Sequence, residues 1–431
     1  MERKEEKIKE ANLLPILLFI VVLINYIPII KVNFLTKTSN AIGTKAMAIS
    51  LGIECVILLL YYFRKIKLKK EMFINFVILV GITICSLVVQ IINYKSGNYN
   101  ILDFANIACK FINIFLLYII IMGLEIKEKY INWFMGLIVI MGLVACIYNM
   151  IFYYNDILAN LGLIENVKTI YSCKSFFPQK NPFAFFLFSS IISTIFLLQK
   201  DSKFITKLIL FLLLGIFGFN LVLTFSRTGT AITIMFLGLF FLFTNKINWK
   251  VKLILIILGV VGICFGYSYV KENNPKLLDK ILRLESVKTF TGRTIFWDLS
   301  KEMLEESPAN MILGVGRFKA VKLIEKYKVT QFHNTYVEFL VSGGIVELVY
   351  FLSIYVMVSI KVLKSKMEKK YKSIYIPMIV SFLAYMYFES LGRFSIGWSD
   401  TMCMIFFITI PLLHATSCNK IEEHKEECEE K

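Results

Sequence analysis

Histidine is scarce in this chain, with three in 431 residues. No His, Cys or Asp grouping has the spacing of metal ligands, which argues against a built-in metal centre. No GxxxxGK[ST] stretch occurs, which excludes a P-loop nucleotide site. No convincing Asp-x-Asp pair stands in any loop, so the usual divalent-metal holder of sugar-nucleotide enzymes is missing. Acidic residues within apolar stretches are few. Glu54, Asp103 and Glu347 are the candidates, a thin supply for the acidic relay of a proton-coupled transporter. Cysteine numbers nine, an odd count. Cys55, Cys85, Cys109, Cys146 and Cys264 fall in apolar runs, where cysteine behaves as a small hydrophobe. Only Cys173 falls in an expected outer loop, so no disulfide framework is implied.

Apolar sequence is abundant. Hydrophobic residues make up 57 % and the mean hydropathy is +0.68. They come in long runs, the mark of an integral membrane protein. The formal net charge of +17 would suggest nucleic acid in a soluble chain. Here the positive-inside bias of membrane proteins accounts for it, and no nucleic-acid partner is implied.

The chain reads as an all-α polytopic membrane protein with about twelve spans of roughly 20 residues, the length a bilayer core demands. They fall at 12–30, 46–63, 73–93, 101–124, 131–154, 178–198, 204–224, 229–245, 252–270, 334–360, 373–390 and 398–415. The first follows a charged stretch but is long enough to span, so it reads as a retained helix and not a cleaved signal. Lys and Arg concentrate in alternate connections, including 64–70 and 361–372. That places both termini in the cytoplasm of a multi-pass protein of the cytoplasmic membrane. The chain then divides into an N-terminal bundle (1–170), a second set of spans (171–270), a large outer segment (271–333), the last spans (334–415) and a charged tail (416–431).

Residues 271–333 do not read as linker. Leu277, Leu278, Ile281, Leu282 and Leu284 recur at near-helical spacing. A second helix is expected from Thr294 to Glu306, stopped by Pro308. Gly314-Val315-Gly316 should turn, and Phe318 to Tyr327 should again be helical. An ordered outer loop of this size suggests function, against the plainer reading of a solvated cap.

Three residues are costly where the topology puts them. His333 is the one histidine expected on the outer side, in Gln331-Phe332-His333-Asn334-Thr335-Tyr336. A neutral imidazole there can take a proton from a hydroxyl, and Asn334 can orient it or bind sugar hydroxyls. Arg227 stands in Thr224-Phe225-Ser226-Arg227-Thr228-Gly229, a very short connection at the membrane boundary. A charge at that depth is a functional hypothesis by default. Ser226 and the backbone N–H groups of the next helix would add donors for phosphate. Arg293 stands in Gly292-Arg293-Thr294-Ile295-Phe296-Trp297, and a guanidinium grips phosphate oxygens bidentately. Lys180 and Asn181 open the sixth span, and Arg393 is the one basic residue of the last outer loop. Each has a plain alternative: a capping histidine, snorkelling or surface arginines.

Taken in order, these motifs resemble the O-antigen ligase and polymerase superfamily of bacterial membrane glycosyltransferases. Phe177-Pro178-Gln179-Lys180-Asn181-Pro182, Ser226-Arg227-Thr228-Gly229, Gly292-Arg293 through Trp297 with Pro308 and Gly314-Val315-Gly316, and His333-Asn334-Thr335-Tyr336 with Gly343-Gly344 carry the likeness over residues 170–350. The family often has an acidic residue before the glycine where this chain has Val341 and Ser342, and a further glycine where it has Glu347. Residues 1–170 carry no matching motif.

The resemblance implies a GT-C-like fold and inverting glycan transfer on the outer face of the cytoplasmic membrane. The donor would be an oligosaccharide on polyprenyl diphosphate, used without a metal or other cofactor. Arg227 and Arg293 would hold the diphosphate and neutralise its charge, and His333 would serve as general base. Lys180, Asn181, Ser226, Asn334 and Arg393 would line the site. A flippase and a chain-length regulator are the partners implied. Composition rich in Lys, Ile, Asn and Phe suits a low-GC Gram-positive cell, which lacks lipopolysaccharide. That favours polymerisation of a surface polysaccharide over ligation to a lipid or protein acceptor. A lipid-linked saccharide flippase is the rival of a different class.

Overall fold

The computed structural model describes residues 51–59, 70–97, 101–123, 128–160, 172–177, 179–200, 203–244, 248–273, 293–325, 331–394 and 398–429, with a few isolated positions besides. Every regular element among them is helical. In chain order they are α1 (Lys70–Lys95), α2 (Ile101–Gly123), α3 (Glu128–Phe152), α4 (Tyr154–Asn160), α5 (Lys180–Leu198), α6 (Phe204–Leu223), α7 (Arg227–Phe243) and α8 (Trp249–Asn273). The outer segment follows with α9 (Arg293–Glu305), α10 (Pro308–Leu313) and α11 (Arg317–Glu325). Then come α12 (Thr335–Lys364), α13 (Lys369–Phe388), α14 (Trp398–Cys403), a π-helical turn over Met404–Thr409, and α15 (Ile410–Glu429).

Six helices among the described residues are long and apolar enough to cross a membrane. They coincide with α1, α3, α5, α6, α12 and the run Ser399–Asn419; α7 is a shorter apolar helix. The chain is a multi-pass membrane protein on that evidence. Of the other expected spans, 12–30 lies outside the described residues apart from two isolated positions, and 46–63 is described at 51–59 and one further position. The expected Leu277–Leu284 helix also lies outside them. The expected tail 416–431 begins inside α15.

The described chain forms two units. The first comprises Met1–Ile131, Gly292–Met367 and Met386–Lys431; the second comprises Asn132–Thr291 and Glu368–Tyr385. In the second unit α5 is the central helix: 78 % of its apolar window is buried, against 22 % for α6. An all-round apolar helix with Phe183, Phe185, Phe186 and Phe188 can bury every face. Gly229 lets α7 approach it, since a Cβ there would stand 2.6 Å from the Ala184 Cβ.

In the first unit α1 packs along α12 and α2. Gly81 allows this, because a Cβ would fall 2.5 Å from the Tyr350 ring. The outer segment has its own apolar core, in which Met303, Leu304, Val315, Ala320 and Ile324 pack with Phe332 and Val341. Pro308 was expected to stop a helix. The helix before it does end, at Glu305, and Pro308 also begins α10 behind the N-cap Ser307, whose side chain accepts the Asn310 N–H, because proline has no N–H to lose at a first helical position. The Gly314–Gly316 turn docks on a break in α12. Val315 and Gly316 N–H both donate to the Val341 carbonyl at 2.9 Å. Gly344, at φ +69, leaves the helical region there, and any Cβ on it would collide with the Ile312 carbonyl. The two glycine motifs are therefore two halves of one contact.

Candidate functional site

In the second unit, α5 and α7 begin side by side. Ser226 is the N-cap of α7: its hydroxyl accepts the Gly229 N–H at 3.3 Å and donates to Asn181 Oδ1 at 3.0 Å. The Lys180 ammonium donates to the Phe225 carbonyl at 3.1 Å, and the Thr224 hydroxyl accepts the Ser226 N–H at 3.0 Å. Phe225 is held at φ +48, a conformation that costs a side-chain-bearing residue roughly 1–3 kcal/mol. Lys180, Asn181, Ser226 and Arg227 thus share a corner where two helix N-termini supply positive dipole ends and N–H groups.

In the first unit the pivot is Glu389, just past the end of α13. Arg293 Nη2 lies 2.7 Å from Glu389 Oε1, and Nη1 donates to the Phe388 carbonyl. His333 Nδ1 lies 3.5 Å from Glu389 Oε2 and 3.4 Å from Gln331 Nε2. One carboxylate therefore faces both the arginine and the histidine. The Thr335 hydroxyl lies 2.9 and 2.7 Å from the carbonyls of Glu389 and Leu391 and accepts the Leu391 N–H at 2.8 Å. These bonds tie the end of α13 to the start of α12.

His333 sits at φ +53. The peptide ahead of it is fixed from both sides: Trp297 Nε1 donates to the Phe332 carbonyl, and the Phe332 N–H donates to Glu338 Oε1, each at 3.0 Å. Trp297 follows Arg293 by one turn of α9, so one helix end places both. Asn334 is the N-cap of α12, its Oδ1 accepting the N–H groups of Tyr336 and Val337 at 2.9 and 3.2 Å. In this structure the Asn334 carbonyl is engaged with the helix.

Glu338 is 2 % exposed. Its Oε1 also accepts the Ser390 hydroxyl at 3.0 Å, its Oε2 stands 3.3 Å from Arg317 Nε, and Arg393 Nη1 is 3.9 Å from Oε1. Arg393 in turn faces Asp400: its N–H donates to Oδ1 at 3.0 Å, and its Nε is 3.9 Å from Oδ2. Burial, then the neighbouring Arg393, pushes the Arg317 guanidinium below its ordinary value, against the pull of Glu338 and Asp400.

The eight residues singled out from sequence divide equally. Lys180, Asn181, Ser226 and Arg227 gather in the second unit; Arg293, His333, Asn334 and Arg393 belong to the first. Glu389, Glu338 and Arg317 escaped sequence reasoning, as did Lys110 on α2, whose ammonium pairs with Glu347 Oε1 at 2.9 Å in the first unit. The usable signal for Glu389 was an acidic residue four positions before Arg393 at the end of an apolar span.

A family model described as O-Antigen ligase matches residues 208–352. This places the chain's likeness in the O-antigen ligase/polymerase superfamily, and the family implies glycan transfer of ligase or polymerase type. The matched stretch holds Ser226, Arg227, Arg293, His333 and Asn334, while Lys180, Arg393 and Glu389 lie outside it. No curated protein matches the chain.

Proposed function

We propose that this O-antigen ligase-type chain joins lipid-linked oligosaccharides on the outer face of the cytoplasmic membrane, with polymerisation of a surface polysaccharide preferred to ligation. The observation that carries the reading is the facing of His333 Nδ1 and Glu389 Oε2 in a unit that also holds Arg293. A carboxylate at Nδ1 favours the tautomer with hydrogen on that nitrogen, leaving Nε2 as base.

His333 Nε2 takes the proton of the acceptor hydroxyl. The hydroxyl oxygen forms its bond to the anomeric carbon as the bond to the diphosphate oxygen breaks. The leaving polyprenyl diphosphate keeps the electron pair, and attack opposite to it inverts the anomeric centre. Arg227, with the helix N-terminus it opens, neutralises charge on that leaving group. Arg293 has five N–H groups; Glu389 engages Nη2 and the Phe388 carbonyl Nη1, so it both positions Glu389 and offers the rest to phosphate. Lys180, Asn181 and Ser226 support the phosphate side of the site, and Arg393 holds Glu338. Twelve spans with both termini cytoplasmic, a GT-C-like plan, and a flippase and chain-length regulator as partners belong to the same reading.

Replacing His333 with Ala, and separately Arg227 with Lys, tests it in cells. Both variants should lose long glycan while precursor accumulates on the outer face. Normal glycan length in both would sink the catalytic reading, and precursor trapped on the inner face would favour a flippase.

A further inference from the structure

Glu338 stands in the first unit, one helical turn beyond the cap Asn334, whose carbonyl accepts the Glu338 N–H at 3.0 Å. Side chains on a helix lean toward its N-terminus, so this carboxylate reaches back to the chain that enters α12. There Oε1 accepts two hydrogen bonds at 3.0 Å each, from the Phe332 N–H and from the Ser390 hydroxyl. Phe332 is the residue before His333, and Ser390 is the residue after Glu389. One oxygen atom therefore links the two segments that carry His333 and Glu389, whose facing atoms stand 3.5 Å apart.

Both segments need holding. His333 has φ +53, and a side-chain-bearing residue stays in that region only where its surroundings over-determine it. The Phe332 peptide is gripped at both ends, by Glu338 at its N–H and by Trp297 Nε1 at its carbonyl. Glu389 lies just past the end of α13, where the helix no longer fixes it. Thr335 binds the backbone of Glu389 and Leu391; Glu338 reaches both segments at once. Two bonds accepted by one oxygen suit an ionised carboxylate. Its charge is answered by Arg317, 3.3 Å from Oε2, and by Arg393, 3.9 Å from Oε1. Buried as it is, the group meets little competition from water.

We propose that Glu338 is a positioning residue for glycan transfer, which sets the separation and angle of His333 and Glu389 by holding Phe332 and Ser390 on one oxygen. The inference rests on the glycan-transfer reading. Glu338 touches no reacting atom in it and acts through the pair alone.

Ser390 supplies the test, because Glu338→Ala and Glu338→Gln each take the carboxylate from Arg317 and can fail to fold. Ser390→Ala cuts one tie and leaves that carboxylate in place. The full chain, purified in detergent, is given lipid-linked precursor extracted from the cell's membranes, and single-turnover transfer is followed at varied precursor concentration. Ser390→Ala should slow transfer at saturating precursor about tenfold, within the roughly hundredfold that a misplacement of about 1 Å can cost. The precursor concentration that gives half the maximal rate should not move. Ser390→Thr, which keeps the hydroxyl, should recover most of the rate. The loss should vanish beside Glu389→Gln, since residues acting as one unit lose their effect together. A wild-type rate in Ser390→Ala, or a tenfold loss that persists beside Glu389→Gln, overturns the proposal. His333→Ala, run in parallel, separates this failure from that of the underlying reading. No transfer by His333→Ala with full transfer by Ser390→Ala sinks the positioning role and leaves the base standing. Normal transfer by His333→Ala sinks both.

Discussion

The corner around Ser226 and the cluster around Glu389 are built from different materials. The corner uses a hydroxyl, an amide, backbone carbonyls and the starts of α5 and α7. The cluster uses carboxylates set against cations: Glu389 with Arg293, Glu338 with Arg317 and Arg393. Helix N-termini and short neutral side chains present positive potential without cancelling it, which suits an incoming anion. A cation locked on a carboxylate gives up part of its field and gains a fixed position, which suits a group that must orient another. On the proposed reading the corner would handle the anion and the cluster the proton.

Changes in the cluster should therefore cost more than changes in the corner. Glu338→Ala comes first. It strands Arg317 and leaves Arg393 to Asp400 alone, a loss of about 3–5 kcal/mol, visible as a collapse of folded protein in detergent. Lys110→Met alone should cost stability on the same scale, while Lys110→Met with Glu347→Leu should recover most of it, since an apolar pair often replaces a buried ion pair without loss. Melting of the single and double variants decides this, and additive losses would break the account of that pair. Glu389→Gln keeps the shape but removes the charge. It should cost less stability than Glu338→Ala, because the amide oxygen can still accept from Arg293, and slow transfer by about 10²–10⁴-fold. Ser226→Ala should be mildest, lowering stability by about 1 kcal/mol through the lost cap. A larger effect of Ser226→Ala than of Glu338→Ala would invert the comparison.

Much of this was legible in the sequence, for physical reasons. Apolar length marks a span, so α5, α6 and α12 began within a few residues of their expected positions. Helical spacing and its breakers gave α9 as Arg293–Glu305 where Thr294 to Glu306 was expected. Arg227 and His333 stood out because charge near a membrane is expensive. Glu389 and Glu338 did not, because their meaning is relational: Glu389 stands 56 positions from His333 and 96 from Arg293, and only the fold closes those gaps. Glu347 looked like a departure from a family pattern until Lys110, on α2, supplied its partner. The strained residues tell a similar story. Among the described residues other than glycine, Ser175, Phe225, His333 and Phe394 have positive φ; the last three are or adjoin residues singled out from sequence and Ser175 is not, and no local signal in the sequence marks any of them.

The central claim is that His333 and Glu389 act as one device. Its most direct test is single-turnover transfer by purified wild type, His333→Ala, Glu389→Gln and the double variant, using lipid-linked precursor extracted from the cell's membranes. The account predicts a double variant no slower than His333→Ala, because groups acting as a unit lose their effect together. Multiplying losses, or a Glu389→Gln variant at the wild-type rate, would contradict it.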